Sequence, residues 1–339
     1  MRRAPVAAAE SAPAPWLGLL VPAHNAARHI ETCLRSLLDQ AEGDPGIEVL
    51  VLDDASSDDT GALLERLAAA HPGQLRVLRA SRNGGISAAR NRLLAEATAR
   101  HLWFVDADDV LLPGAISGLR HVLDRHDPDL VLCDFQYLRE RGLSRTRCTC
   151  HAPADTPSVS RARLVAATLS AGELHVWSKI ARRELWQQVT FPVGRHFEDI
   201  AGTGQLLALV RRWIHVHRPW LGYRQHPHSI MATLTHARLD EWMAALEGMQ
   251  PLLADTEVAA DPAAVQALAD FRLRNLASAL RRTARLPEAQ RTAAQATLAE
   301  ARTRLFPRGT APVLRAWLRR GWWLRALRTH RALRAALGS

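Results

Sequence analysis

Phe104-Val105-Asp106-Ala107-Asp108-Asp109 is the stretch that decides how this chain is read. Leu102 to Val105 is an apolar run of strand length, and it delivers three carboxylates into the loop that follows. Carboxylates at i and i+2 just past a strand can together hold a hard divalent cation, with phosphate oxygens filling the other positions. An acidic turn that only caps the next helix has the same composition, so the meaning of the stretch depends on its surroundings.

Upstream, Trp16 to Val21 is an apolar run ending at Pro22, and Ile47 to Leu52 is another, closed by Asp53-Asp54. Between them Ile30, Cys33, Leu34, Leu37 and Leu38 recur at helical spacing. Ser57 or Asp58 is expected to cap a helix through Leu63, Leu64 and Leu67. Leu75 to Leu78 reads as a third strand and Ile86 to Ala99 as a third helix. Alternating strand and helix predicts an α/β fold with a parallel sheet and helices on both faces. Ligands bind such sheets beyond the carboxyl ends of the strands, which makes Asp53, Asp54 and Asp106 site candidates. A carboxylate at Asp53 or Asp54 can accept hydrogen bonds from a base N–H or a ribose hydroxyl; an N-cap cluster is the plainer alternative. In Arg82-Asn83-Gly84-Gly85-Ile86-Ser87-Ala88-Ala89-Arg90-Asn91 the glycines allow close backbone approach, and the helix N-terminus with Arg90 one turn in favours phosphate.

In this order the pieces resemble the family 2 glycosyltransferases: Val21-Pro22-Ala23-His24-Asn25, Asp53-Asp54-Ala55-Ser56, Arg82 to Asn91, and Asp106-Ala107-Asp108 as a metal-binding D-x-D. Further on, Trp177-Ser178-Lys179-Ile180, Phe191-Pro192 and Glu198-Asp199-Ile200 resemble acceptor-side segments of bacterial polysaccharide and teichoic-acid enzymes of that family. Tyr223-Arg224-Gln225-His226-Pro227-His228-Ser229-Ile230 resembles the closing segment. The resemblance covers about residues 16 to 230. It implies a GT-A fold, with a Rossmann-like nucleotide-binding half of mostly parallel sheet, a donor lobe over 16–138 and an acceptor lobe over 161–230.

The resemblance also implies an inverting transfer from a nucleotide sugar, with UDP as the nucleotide, to a glycan or lipid-linked acceptor. Asp199 would be the catalytic base, and Glu198, Trp177 and Lys179 would meet the acceptor. Pro22, Asn25, Asp53, Asp54, Asn83, Gly84, Arg90, Asp106, Ala107, Arg224 and Ser229 would line the donor site, with Asp54 on the uracil. Asp108 would ligate Mn or Mg, with His226 or His228 as a further metal or phosphate contact. Lys179 is the sole lysine, which suggests that a guanidinium was not an acceptable substitute there.

Composition sets the outer limits. The chain has 339 residues, room for one catalytic domain of about 100–200 residues plus an appendage, and 47% hydrophobic residues, enough for a real core. The net charge of +10 is carried almost wholly by arginine and favours an anionic partner. No recognised nucleic-acid motif accompanies it. No apolar run reaches the roughly 18–20 residues of a bilayer span, and residues 1–15 read as a loose tail without signal-peptide character. A cytoplasmic protein is expected, perched at most on the inner membrane surface. Cys148-Thr149-Cys150-His151 is spaced too tightly for a usual zinc motif and has no second Cys/His pair at ligand spacing, so the four cysteines read as reduced thiols.

Residues 139–160 are polar and read as a connection; 231–339 is an Arg-rich helical region. Leu314, Trp317, Leu318, Trp322, Trp323, Leu324, Leu327 and Leu333 lie among arginines there. That pattern suits a helix on an anionic membrane, or equally one packing on the catalytic body or forming a homo-oligomer. Two other functions remain open at this level: a nucleotidyltransferase, which would usually carry a Gly-rich basic loop after the first strand, and a degenerate transferase kept as a binding module.

Overall fold

The computed structural model describes residues 14–139, 142–225 and 235–337. The first half is β1 (Leu17–Ala23), α1 (Ile30–Ala41), β2 (Ile47–Asp53), α2 (Thr60–Ala70), β3 (Leu75–Arg79), α3 (Gly85–Glu96) and β4 (His101–Phe104). β3, β2, β1 and β4 lie side by side and all parallel. Alternate residues of these strands supply two cores. Leu19, Val21, Val49 and Val51 face α1 through Leu34, Leu37 and Leu38, whereas Leu20, Leu50, Leu52 and Phe104 face α3 through Ala89, Leu93 and Leu94. The expected helix-covered parallel half is therefore present. α2 starts at Thr60, whose N–H is accepted by Asp58 at 3.0 Å.

The chain moves outward from β1 to β3, then returns to β4 on the other side of β1. The reversal between β1 and β4 marks the standard ligand position in such sheets, beyond the carboxyl ends of the strands.

The second half departs from a parallel plan. β5 (Val110–Leu111), α4 (Ala115–His126), β6 (Leu130–Arg139), β7 (Gly142–Leu143), α5 (Arg161–Ala171), β8 (Lys179–Arg182), α6 (Arg183–Trp186), α7 (Glu198–Leu209) and β9 (Trp213–Arg224) follow. β8 inserts antiparallel between β4 and β6, β9 runs parallel to β6, and β5 closes the edge antiparallel to β9. The sheet is mixed because β8, four residues long and late in the chain, fills the slot between two strands that share a direction.

The C-terminal region is α8 (His236–Glu247), α9 (Thr256–Ala260), α10 (Pro262–Thr283), α11 (Glu288–Leu305), α12 (Ala311–Arg319) and α13 (Trp323–Leu337). It is joined to the body, since Leu273, Leu276, Leu298 and Trp317 share one apolar cluster with Leu164 and Leu206. Trp317 Nε1 donates to Asp270 at 2.7 Å and locks α12 to α10. Packing on the body, one of the outcomes expected for this region, is thus observed. Leu318, Trp322, Trp323, Leu324 and Leu327 nevertheless remain exposed. Among the described residues no helix is long and apolar enough to cross a membrane.

Candidate active site

At the carboxyl edge of β1 and β2, three loops are sewn together by side chains. Asn83 Nδ2 donates to His24 Nε2 at 2.9 Å, which leaves the proton on Nδ1 to donate to the Asp54 carbonyl, also 2.9 Å away. Asn25, at φ 49°, accepts from Ser57 N at 2.8 Å and donates its own N–H to Ser56 Oγ. The Asp54 carboxylate accepts from Gly84 N at 2.9 Å and Gly85 N at 2.8 Å, and Gly85 has φ +80°, a value that favours glycine. Asp53 accepts from Ser56 N. Asp54 was expected on a uracil. Its two oxygens clamp the 83–85 turn, and the residue is 4% exposed. The acidic pair holds the backbone of both turns in place. Pro22 is buried in β1, paired with Leu52, and Gly84 and Asn83 form the clamped turn.

Arg90 sits at the centre of a second group. From the first turns of α3 its Nη1 donates to Glu198 Oε1 at 3.0 Å and Asp199 Oδ1 at 2.7 Å, and its Nη2 to Asp106 Oδ1 at 3.2 Å. The guanidinium lies over the Phe104 and Phe191 rings, with its side chain 3% exposed. Next to it, Asn91 exchanges two hydrogen bonds with the Phe191 backbone, of 2.8 and 2.9 Å. Gly202 on α7 admits the Phe191 ring, where a Cβ would come within 2.4 Å of it. α3 therefore fastens the acidic loop after β4 to the Glu198-Asp199 pair that opens α7. Arg90 was expected to face a phosphate; instead it is a buried cross-link between three carboxylates, as a planar fork of donors can be.

The acidic loop crowds the carboxyls of Asp106, Asp108 and Asp109 together. Burial and then Asp106 and Asp108 push the Asp109 carboxyl well above its usual range, and burial raises Asp106 despite Arg90. Asp109 Oδ1 accepts from Arg224 N at 2.8 Å, while its buried Oδ2 has no hydrogen-bond partner. Arg224 Nε donates to the Asp108 carbonyl at 2.9 Å, so Arg224 does reach the acidic loop. Ala107 is buried between the two half-exposed carboxylates of Asp106 and Asp108. An orphaned acceptor amid carboxyls that resist ionisation fits a divalent cation held by Asp108 with its neighbours, because a bound cation reverses that local balance. His226, His228 and Ser229 lie outside the described residues.

His175, which the sequence reading passed over, completes the group. Its Nδ1 lies 3.7 Å from Asp199 Oδ2 and its Nε2 3.3 Å from Glu173 Oε2, and Glu173 in turn pairs with Arg147 at 2.9 Å. Burial alone would lower the imidazole, but Asp199 and Glu173 outweigh it and raise His175 to about 9. Burial likewise pushes Asp199 up, but Arg90 and His175 reverse this and hold it below the usual carboxylate range. Glu198 goes the other way: burial and the Asp199 charge raise it to about 7. Asp199 is thus the ionised member of the pair.

Two acceptor assignments need correction. Lys179 is fully buried, and its three donors go to Glu173 O, His175 O and Ser178 Oγ. With no donor left over, it braces the segment carrying Glu173 and His175 from behind. Trp177 is 1% exposed and stacks on both His175 (4.5 Å) and Tyr223 (5.3 Å), which also meet each other at 5.6 Å. It is a floor beneath His175, and His175 is the more exposed of the two, at 31%. Tyr223, whose phenol is raised by burial and by Asp109, Asp106, Asp108 and Asp199, stands at the same place.

The strand-end loops clamped by Asp54 lie in one sheet with the carboxylate cluster around Arg90, and comparison with known proteins gives the class. The glycosyl transferase family 2 model matches residues 19–195, just over half of the chain, and the chain belongs to that family. An uncharacterized glycosyltransferase of Escherichia coli, YibD, is 26% identical over 219 residues, 63% of this chain and 62% of that protein. Glycosyltransferase GlyG of Streptococcus pneumoniae is 24% identical over 224 residues, covering 64% of this chain and 73% of GlyG. The aligned part is thus less than two thirds of the E. coli relative. Among solved structures, S. aureus TarS 1-349 in complex with UDP-GlcNAc superposes with a TM-score of 0.69 at 21% identity, over 85% of this chain and 81% of that one. A mannosyltransferase from Pyrobaculum calidifontis, solved with GDP-Man and Mn2+, gives 0.52 at 20% identity over 96% and 88%. The fold is the GT-A architecture of these structures, with a mixed sheet and a helical C-terminal region.

Proposed function

We propose that the chain is an inverting, metal-dependent glycosyltransferase. It would move a sugar from a UDP-sugar to a hydroxyl of a glycan, lipid-linked or polymer acceptor in cell-envelope polysaccharide synthesis. The observation that carries this reading is the Arg90 cross-link, which holds Asp106 of the D-x-D loop and the Glu198-Asp199 pair within reach of one guanidinium. Support also comes from family membership and from the UDP-GlcNAc and GDP-Man seen in the two solved structures.

Residues 16–138 bind the donor in this reading and 161–230 the acceptor. The turn clamped by Asp54 and the Asn25–Ser57 contact shape the pocket for base and ribose. Mg2+ or Mn2+ held by Asp108 supplies charge neutralisation for the leaving diphosphate. Arg224 adds a positive side chain on the same loop. Asp199, kept ionised by Arg90 and His175, takes the proton of the acceptor hydroxyl. The acceptor oxygen attacks the anomeric carbon as the bond to the diphosphate breaks on the opposite face, so a single base suffices. Glu198 beside it orients the acceptor. Release of UDP from a panel of UDP-sugars, with wild type and Asp199→Asn, tests the assignment. General-base loss costs roughly 10²–10⁴-fold in turnover with donor binding retained. Full turnover by the variant would refute it.

The exposed Leu318, Trp322, Trp323, Leu324 and Leu327, set among the arginines of α12 and α13, further support peripheral contact with an anionic membrane surface, where a lipid-linked acceptor would lie.

A further inference from the structure

Outside the catalytic cluster, Asp134, Cys148, His215 and His217 present one donor atom each, all within 4.8 Å of one another. They come from three stretches of chain: β6, the 144–160 connection and β9. The backbone is built to bring them together. His215 and His217 stand two apart on β9, His215 fully buried and His217 59% exposed. The β6–β9 ladder slips beside them, pairing Cys133 with Val216 but Asp134 with Pro219, so His217 and Arg218 form an outward bulge next to Asp134. Thr149 then pins the Cys148 segment across β6, donating its N–H to Asp134 Oδ1 at 2.9 Å and its hydroxyl to Cys133 O at 2.7 Å.

As it stands, the group is incomplete. Asp134 and His215 are fully buried, and among the described residues no Arg or Lys pairs with Asp134. His215 Nε2 lies 2.8 Å from Asp134 Oδ1, but its Nδ1 has no hydrogen-bond partner. Asp134 Oδ2 has His217 Nδ1 at 3.0 Å. A buried polar atom such as His215 Nδ1 is normally satisfied, and among the described residues the buried Asp134 carboxylate meets imidazoles and Thr149 but no permanent cation.

We propose that Asp134, Cys148, His215 and His217 form a structural zinc site, separate from the catalytic cation. The donor set decides the metal. Two imidazoles, a thiolate and a carboxylate make a four-coordinate N/S-rich set suited to Zn2+, whereas Mg2+ and Mn2+ prefer oxygen. Binding releases the Cys148 thiol proton to solvent, and the two negative ligands then neutralise the dication, leaving no net charge in the interior. The site staples the connection to both strands. Arg147, the residue before Cys148, carries the ion pair to Glu173 and is bonded through its backbone to Phe135, so the staple also steadies the brace behind His175.

This inference does not rest on the transfer reading, and its test is metal content. Full-length protein purified in Mg2+ buffer without added zinc is analysed by mass spectrometry of metals, then stripped and reloaded with Co2+. The wild type is expected to hold about one tightly bound zinc per chain, and its cobalt form to show tetrahedral visible bands with a thiolate-to-cobalt band in the near ultraviolet. Cys148→Ser loses the thiolate band and most of the zinc. His217→Ala, a change at a side chain 59% exposed and so safe for folding, loses most of the zinc as well. Asp108→Asn keeps it. A wild type without zinc and without cobalt bands overturns the proposal, as does zinc that survives in both site variants or vanishes only in Asp108→Asn.

Discussion

Replacing His175 by Gln isolates the electrostatic support of the proposed base. In the folded protein His175 is raised from 6.5 to about 9 by Asp199 and Glu173. A folded state that binds the proton more tightly than the unfolded chain is stabilised fully below about pH 6.5, and the gain disappears as pH rises through about 9. At about 1.4 kcal/mol per pH unit the ceiling is on the order of 3 kcal/mol. The side chain is 31% exposed, so solvent screening brings the expected figure to roughly 1–3 kcal/mol. The assay is urea unfolding of wild type and His175→Gln from pH 6 to pH 10, read as the difference between the two proteins. That difference cancels the opposite trend from Lys179, which burial lowers to about 8. The gap should be widest near pH 6 and close toward pH 10. A gap of equal size at both ends of the range would refute the ion-pair account of His175.

Three other changes probe the remaining parts. Arg90→Leu leaves three carboxylates without their buried partner and should cost about 3–5 kcal/mol in unfolding free energy, with a milder loss for Arg90→Lys, both read by denaturant titration. Gly85→Ala forces a side chain into φ +80° and should cost about 1–2 kcal/mol, loosening the turn clamped by Asp54 and weakening UDP binding in calorimetry. Trp323→Glu with Leu324→Glu should abolish cosedimentation with vesicles rich in anionic lipid while leaving the unfolding midpoint unchanged, because both residues are more than 60% exposed.

The first half of the fold was legible because its signals are local. Apolar runs such as Ile47 to Leu52 and the spacing of Leu34, Leu37 and Leu38 are visible without knowing what they pack against, and β2 and α1 lie where those patterns put them. β8 was not legible: Lys179 to Arg182 is four residues with a charge at each end, and only its insertion between β4 and β6 makes it a strand. At the site, the D-x-D loop and the Glu-Asp pair were readable as motifs. Their connection through Arg90 was not, since it joins residues about a hundred positions apart. His175 stood two residues before a motif already noticed, and Glu173 on its far side was the available hint of an ion-paired imidazole. Lys179 was misjudged because rarity suggested function, whereas burial against three oxygens explains the ammonium. The donors around Asp134 were hidden by a search for Cys-x-x-Cys spacing, when strand pairing brings His215 and His217 to Cys148 from far along the chain.

The central claim is that the loop carrying Asp108 holds a cation-bound nucleoside diphosphate opposite Asp199. Calorimetric titration of UDP into wild type, Asp108→Asn and Asp199→Asn, each with and without Mn2+, tests it directly. Tight UDP binding should require Mn2+ in the wild type, vanish in Asp108→Asn and persist in Asp199→Asn. UDP binding that ignores both Mn2+ and Asp108 would contradict the account.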